Sequence, residues 1–178
     1  MNPYSIIEKY YTKGDPLYNI LVTHGEQVKY KALDVLEKHP GLSVDENFVA
    51  EAALLHDIGI FLCNAPGICC FGKYDYIAHG YLGAEILLKE GMPKHALVCE
   101  RHTGTGICRE SIVRQNLPLP KRNMLPISYE EKIVCYADKF FSKTNISKQK
   151  SPDEIKIQLL KFGQIAVDRF DELHQLFG

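Results

Sequence analysis

Ala52-Ala53-Leu54-Leu55-His56-Asp57-Ile58-Gly59 is the stretch from which the rest of the chain is read. An apolar, helix-forming run ends on an imidazole beside a carboxylate. Neither group belongs in a core without a partner, because burying an unpaired charge is costly. A metal ion is the usual partner of adjacent His and Asp. Elsewhere His24, His79, His102 and Asp138 each sit in an apolar stripe of helical spacing, and these are further candidate ligands.

Outward from that stretch the chain reads as helix after helix. Asp15 is placed to cap a helix with Pro16 in its first turn. Leu17, Leu21, His24, Val28 and Val35 follow at helical spacing until His39-Pro40-Gly41. Ser43-Val44-Asp45-Glu46 predicts a capping box for the helix that carries Val49, Ala52, Ala53 and His56. Residues 60 to 75 read as a loop. A helix over residues 77 to 90 carries His79, Leu82, Gly83 and Ile86 on one face; Gly91 ends it and Pro93 starts the next, which carries Val98 and His102 and closes at Gly104. Pro118, Pro120 and Pro126 forbid a regular helix over residues 117 to 127. Ser128-Tyr129-Glu130-Glu131 predicts a second capping box, ahead of Val134, Ala137, Asp138 and Phe141. Ser151-Pro152-Asp153-Glu154 opens a last helical region that breaks near Gly163. No alternating strand stands out, so the expected class is an all-α helical bundle.

The length of 178 residues implies a single domain over 1–178, with its motif region at 15–143 and a C-terminal helical region at 151–177. A formal net charge of -1, from 21 basic and 22 acidic residues, gives no strong nucleic-acid signal. No apolar run is long enough to span a bilayer, and the N-terminus lacks a signal-peptide layout, so a cytoplasmic protein is expected. The cysteines at 63, 69, 70, 99, 108 and 135 read as free thiols, since Cys63, Cys69 and Cys70 form no Cys-x-x-Cys pair.

One inward histidine is ordinarily a satisfied core residue. Five polar groups at inward positions of several helices, with Asp57 beside one of them, repeat that accident too often. Bundle cores are where metal sites are assembled from facing helices. The imidazole and carboxylate mixture suits iron, manganese, zinc or nickel. Other polar groups have weaker claims. His95 shares the face of His102, and His39 and His174 read as surface residues. Tyr74, Tyr76, Tyr81 and Tyr129 are placed to pack at helix starts, with base stacking as the functional alternative.

The order His24, His56-Asp57, His79, His102, Asp138, at intervals of 32, 22, 23 and 36 residues, resembles the HD superfamily of metal-dependent phosphohydrolases, in its binuclear subset. Bacterial HD-domain diadenosine tetraphosphate hydrolases look especially similar, down to a His-x-x-Gly turn at His102 to Gly104. The resemblance implies an HD-domain bundle holding two divalent metal ions. One would be held by His24, His56, Asp57 and Asp138, and the other by His79 and His102, with Asp57 bridging. His56 and Asp57 would carry the catalytic chemistry, and the partner would be a small phosphorylated substrate, a nucleotide first, with homodimer formation left open. Phosphate calls for positive charge around it. Lys73, Arg101, Arg109, Lys121, Arg122 and Lys139 are the candidates, with ordinary surface charge as the alternative for each. No Gly-Tyr-Pro follows the His-Asp pair, which argues against the cyclic-di-GMP-cleaving branch. HD-fold mixed-valence diiron oxygenases share the same ligand order and form the competing class.

Overall fold

The computed structural model describes residues 2–178. Its described residues form α1 (Pro3–Tyr10), α2 (Pro16–Lys38), α3 (Glu46–Leu55), β1 (Asn64–Ala65), β2 (Cys70–Phe71), α4 (His79–Lys89), α5 (Pro93–Arg101), α6 (Arg109–Arg114), α7 (Tyr129–Asp138), α8 (Pro152–Leu159) and α9 (Gln164–Phe177). The fold is all-α. β1 and β2 make one short antiparallel hairpin inside the 60–75 segment, so that segment is not wholly loop. Two residues per strand leave no room for the alternation by which strands are read.

Helix boundaries follow local chemistry. Pro16 supplies the first-turn residue of α2, although Asp15 makes no side-chain capping bond. At α3 the cap is Asp45, whose carboxylate accepts from the Phe48 amide at 3.1 Å; the Ser43 box does not form. At α7 half a box forms. Ser128 accepts from the Glu131 amide, while the Glu131 carboxylate turns to the Ile127 amide and to Arg101. The complete box is at α8, between Ser151 and Glu154. Gly163, at φ +98°, separates α8 and its 3-10 extension from α9, and an L side chain is strained there.

Two large apolar clusters meet around the polar centre. One unites the C-terminal half of α2 with α3, α7, α8 and α9 through Val28, Val35, Val49, Ile133 and Phe170. The other joins α1, the N-terminal half of α2, the end of α3, α4 and α5 through Ile7, Leu21, Leu55, Leu87 and Cys99. His24 lies between Leu21 of one cluster and Val28 of the other. Gly59 lets the turn after His56-Asp57 press against α4: a Cβ there would collide with the His79 carbonyl and the Gly83 backbone. That approach seats the His-Asp pair beside the start of α4.

Candidate metal centre

Helix termini build the centre. His24 projects from the middle of α2. His56 follows the last residue of α3, His102 follows that of α5, His79 opens α4, and Asp138 closes α7. All six side chains are buried, with exposures from 1% for His24, His56, Asp57 and His102 to 8% for Asp138.

Three imidazoles are aimed by one device. Nδ1 of His56, His79 and His102 lies 2.6, 2.6 and 2.7 Å from the carbonyl three residues earlier, of Ala53, Tyr76 and Cys99. A carbonyl only accepts, so Nδ1 carries a proton in each ring, and Nε2 is the atom left to face the interior. Tyr76 also stacks on His79, with ring centroids 4.6 Å apart. The thiol of Cys99 donates to the His56 carbonyl at 2.9 Å and steadies the backbone of that residue.

Asp57 stands at the middle. Its Oδ2 faces Nε2 of His56 and His24 at 3.1 and 3.2 Å, and its Oδ1 faces Nε2 of His79 and His102 at 3.2 and 3.4 Å. Asp138 Oδ1 completes the first group, 2.9 Å from His24 Nε2. Two sets of ligand atoms therefore converge: His24, His56, Asp57 and Asp138, and Asp57, His79 and His102.

The donor set fits divalent cations. His56 Nε2 and both Asp57 oxygens are buried with no hydrogen bond of acceptable geometry, despite their short separations. The Nε2 atoms of His79 and His102 lie 3.0 Å apart, lone pair toward lone pair once both Nδ1 atoms are protonated. Buried acceptors pointed at one another are unstable unless a cation stands between them. This centre has the ligands to hold divalent cations.

The charges interlock. Burial pulls the His56 imidazole down, but the Asp57 and Asp138 carboxylates outweigh it and hold its pKa at about 9. Burial also pulls His102 down, to about 3; the hydrogen bond and charge of Asp57 restore only part of that, and the His56 and His79 imidazoles oppose them. Burial pushes Asp57 up, yet His56 and Lys143 hold its carboxyl well below the usual range.

The centre opens into a cavity of about 850 Å³, walled by residues 102–107, the segment after Asp138, α8 and the start of α9. Of the phosphate candidates, Lys139 lines it, with its ammonium 2.5 Å from Asp138 Oδ2 and 3.2 Å from the His102 carbonyl. The other candidates lie off the cavity walls. Arg101 forms an ion pair with buried Glu131 at 2.9 Å, Arg122 pairs with Glu100, and Lys73, Arg109 and Lys121 are exposed. Four cations that were not among the candidates reach the cavity instead: Arg114, Arg169 and, in the segment after Asp138, Lys143 and Lys150. The chain leaves the helix after Asp138, so helical spacing no longer says which way those lysines point. The same exit from the helix brings Lys139 onto the cavity wall.

The remaining polar residues have local partners. His95 lies 3.3 Å from Glu51 Oε2 and against the Phe48 ring, away from the cavity walls. His174 is no surface residue: its Nδ1 is 2.8 Å from the Tyr136 hydroxyl and its ring is half-buried on Phe170. All six cysteines are free, and no thiol joins a candidate metal group among the described residues. No helix of the described residues is long and apolar enough to cross a membrane.

Residues 18–142 match the HD domain family. An uncharacterized protein of Methanocaldococcus jannaschii is 42% identical over 102 residues, covering 57% of this chain and 53% of that protein. The tRNA (cytidine(56)-2'-O)-methyltransferase of Picrophilus torridus is 35% identical over 135 residues, 75% of this chain and 35% of that enzyme. The enzyme of the same name from Thermoplasma volcanium is 36% identical over 123 residues, 68% of this chain and 32% of that enzyme. The chain thus spans about half of the first relative and a third of the other two. No solved structure matches it.

Proposed function

The chain belongs to the HD domain family, and from that premise we propose that it is a metal-dependent phosphohydrolase acting on a nucleotide or another small phosphate ester. The observation that carries the proposal is Asp57, whose two oxygens face two separate sets of ligands and find no hydrogen bond in either. A carboxylate so placed is suited to bridging two cations. When bound, a pair of divalent ions would supply an acidified water and neutralise phosphoryl charge.

The chain's own residues do the rest. His56, His79 and His102 are pinned through Nδ1, so their Nε2 atoms need not reorganise when a cation enters. Lys139, Lys143 and Lys150 gather on the cavity wall, where an ester's phosphoryl oxygens would meet them. The cavity has room for a nucleotide-sized ligand. No serine or cysteine nucleophile is required, and phosphoryl transfer asks mainly for positioning and charge neutralisation.

Two of the relatives carry a methyltransferase name. This chain spans about a third of each. Six of its buried polar groups are imidazoles and carboxylates turned toward one centre, an arrangement suited to cations rather than to a methyl donor. Methyl transfer is therefore not proposed for this segment.

The test begins with metal analysis of protein purified without chelators, followed by a phosphatase screen over nucleotides and dinucleoside polyphosphates. Turnover on the best substrate is then run without dioxygen, in isotopically labelled water. Ester cleavage with solvent label in a product is expected. Strict dioxygen dependence, with label arriving from the gas, would replace the hydrolase with a diiron oxygenase of the same fold. Methyl transfer to RNA without ester cleavage would move the assignment to the chemistry named for the longer relatives.

A further inference from the structure

Lys143 Nζ lies 2.6 Å from Asp57 Oδ2; the Asp57 side chain is buried at 1% exposure and that of Lys143 is largely covered, at 13%. That oxygen is the one turned toward His24 and His56. The ammonium therefore stands on the His24 and His56 side of the centre, and it uses an oxygen that a cation held by His24, His56, Asp57 and Asp138 needs. First-row divalent ions approach carboxylate oxygens to about 2.0–2.2 Å. Two cations on one oxygen, in a water-poor interior, repel strongly. Either the cation stays out or the ammonium moves.

The cavity narrows where the ammonium can go. Lys143 lines it together with Lys139, Lys150, Arg114 and Arg169, and Asp138 is the one carboxylate among its lining residues. Asp138 already faces His24, His56 and Lys139. A buried ammonium without a counter-charge is costly. Once displaced from Asp57, it is left facing an anion-poor space that opens to solvent.

We propose that Lys143 changes partners. It neutralises Asp57 in the metal-free centre, and it binds the phosphoryl oxygens of the substrate once a divalent cation has taken Asp57. The identity of that anion rests on the phosphohydrolase reading; the competition with the cation does not. Two consequences follow. Lys143 weakens cation binding, and phosphate binding through Lys143 requires that the cation be in place first.

The experiment uses the full chain, with Mn²⁺ and inorganic phosphate as probes. Calorimetric titration is expected to show Mn²⁺ binding Lys143→Met at least about tenfold tighter than wild type, because a competing charge is gone. Phosphate is expected to bind Mn²⁺-loaded Lys143→Met at least about tenfold more weakly than loaded wild type. Lys143→Arg keeps the charge and stays near wild type in both. A measurement on wild type alone stands behind the variants, should Lys143→Met fail to fold. Amine acylation mapped by mass spectrometry is expected to rise at Lys143 when Mn²⁺ is added and to fall again with phosphate. Equal or weaker Mn²⁺ binding by Lys143→Met, unchanged phosphate affinity, or acylation indifferent to Mn²⁺ would each overturn the exchange. Wild type that binds neither Mn²⁺ nor Zn²⁺ would overturn this proposal and the hydrolase together. Normal exchange without hydrolysis of any ester would overturn the hydrolase alone.

Discussion

The metal centre and the C-terminal aromatic cluster lie at opposite faces of α7, and each packs a histidine against the core. Tyr136 turns from α7 into a cluster with Phe140, Phe170, His174 and Phe177. There the Nδ1 of half-buried His174 meets the Tyr136 hydroxyl at 2.8 Å and its ring stacks on Phe170, so the nitrogen that faces the protein has its partner. Two residues further along α7, Asp138 enters the other region. There His56 is buried as fully as any core residue, and its Nε2 finds no hydrogen bond. Burial alone therefore does not mark a functional histidine. The mark is an unsatisfied atom aimed at other unsatisfied atoms, with the opposite ring nitrogen fastened so that the aim holds.

The sharpest way to break that comparison is at Asp57. Asp57→Ala is expected to bring ester hydrolysis to background and to lower metal content more than any other single change, because it removes a group common to both ligand sets. Retained turnover and metal content would show that the carboxylate is not shared. Phe170→Ala probes the other face. A fully buried phenylalanine cut to alanine costs about 3–5 kcal/mol, measured by denaturant unfolding, while the folded fraction keeps its metal. Metal loss in step with stability would mean that the two regions are one unit.

How much of this was legible in the sequence depended on whether a regular element carried the residue. His24, His56, His79, His102 and Asp138 stood out because helical apolar stripes surround them, and their order resembled the HD pattern before any geometry was known. The all-α class was legible for the same reason. The α3 cap at Asp45 was misplaced by two residues, because Ser43 and Asp45 both suit a cap and only the turn geometry chooses between them. The β1–β2 hairpin was too short to show a period. Lys143 was missed since the helix ends at Asp138, and no spacing rule covers a chain that turns back after its last helical residue. Arg101 and Arg122 looked like phosphate ligands by charge alone, whereas Glu131 and Glu100, distant in sequence, pair with them.

Smaller perturbations sharpen the comparison within each region. His79→Ala and His102→Ala are each expected to lose about one metal equivalent per chain, and His24→Ala the other, since the histidines fall on opposite oxygens of Asp57. Unrelated losses in the first two variants, read by elemental analysis, would point to one ion and spare core histidines. His174→Ala is the smallest of the set. It leaves the Tyr136 hydroxyl without its partner and is expected to cost about 1–3 kcal/mol of stability with no change in metal content.

The central claim is that Asp57 joins two cation sites in one buried centre. Elemental analysis of wild type and Asp57→Ala, both purified without chelators and quantified against protein concentration, tests it most directly. The account predicts about two equivalents of divalent metal per wild-type chain and the loss of both in the variant, as expected where one carboxylate serves a two-metal site. One equivalent or fewer in wild type, or two retained without Asp57, would contradict it.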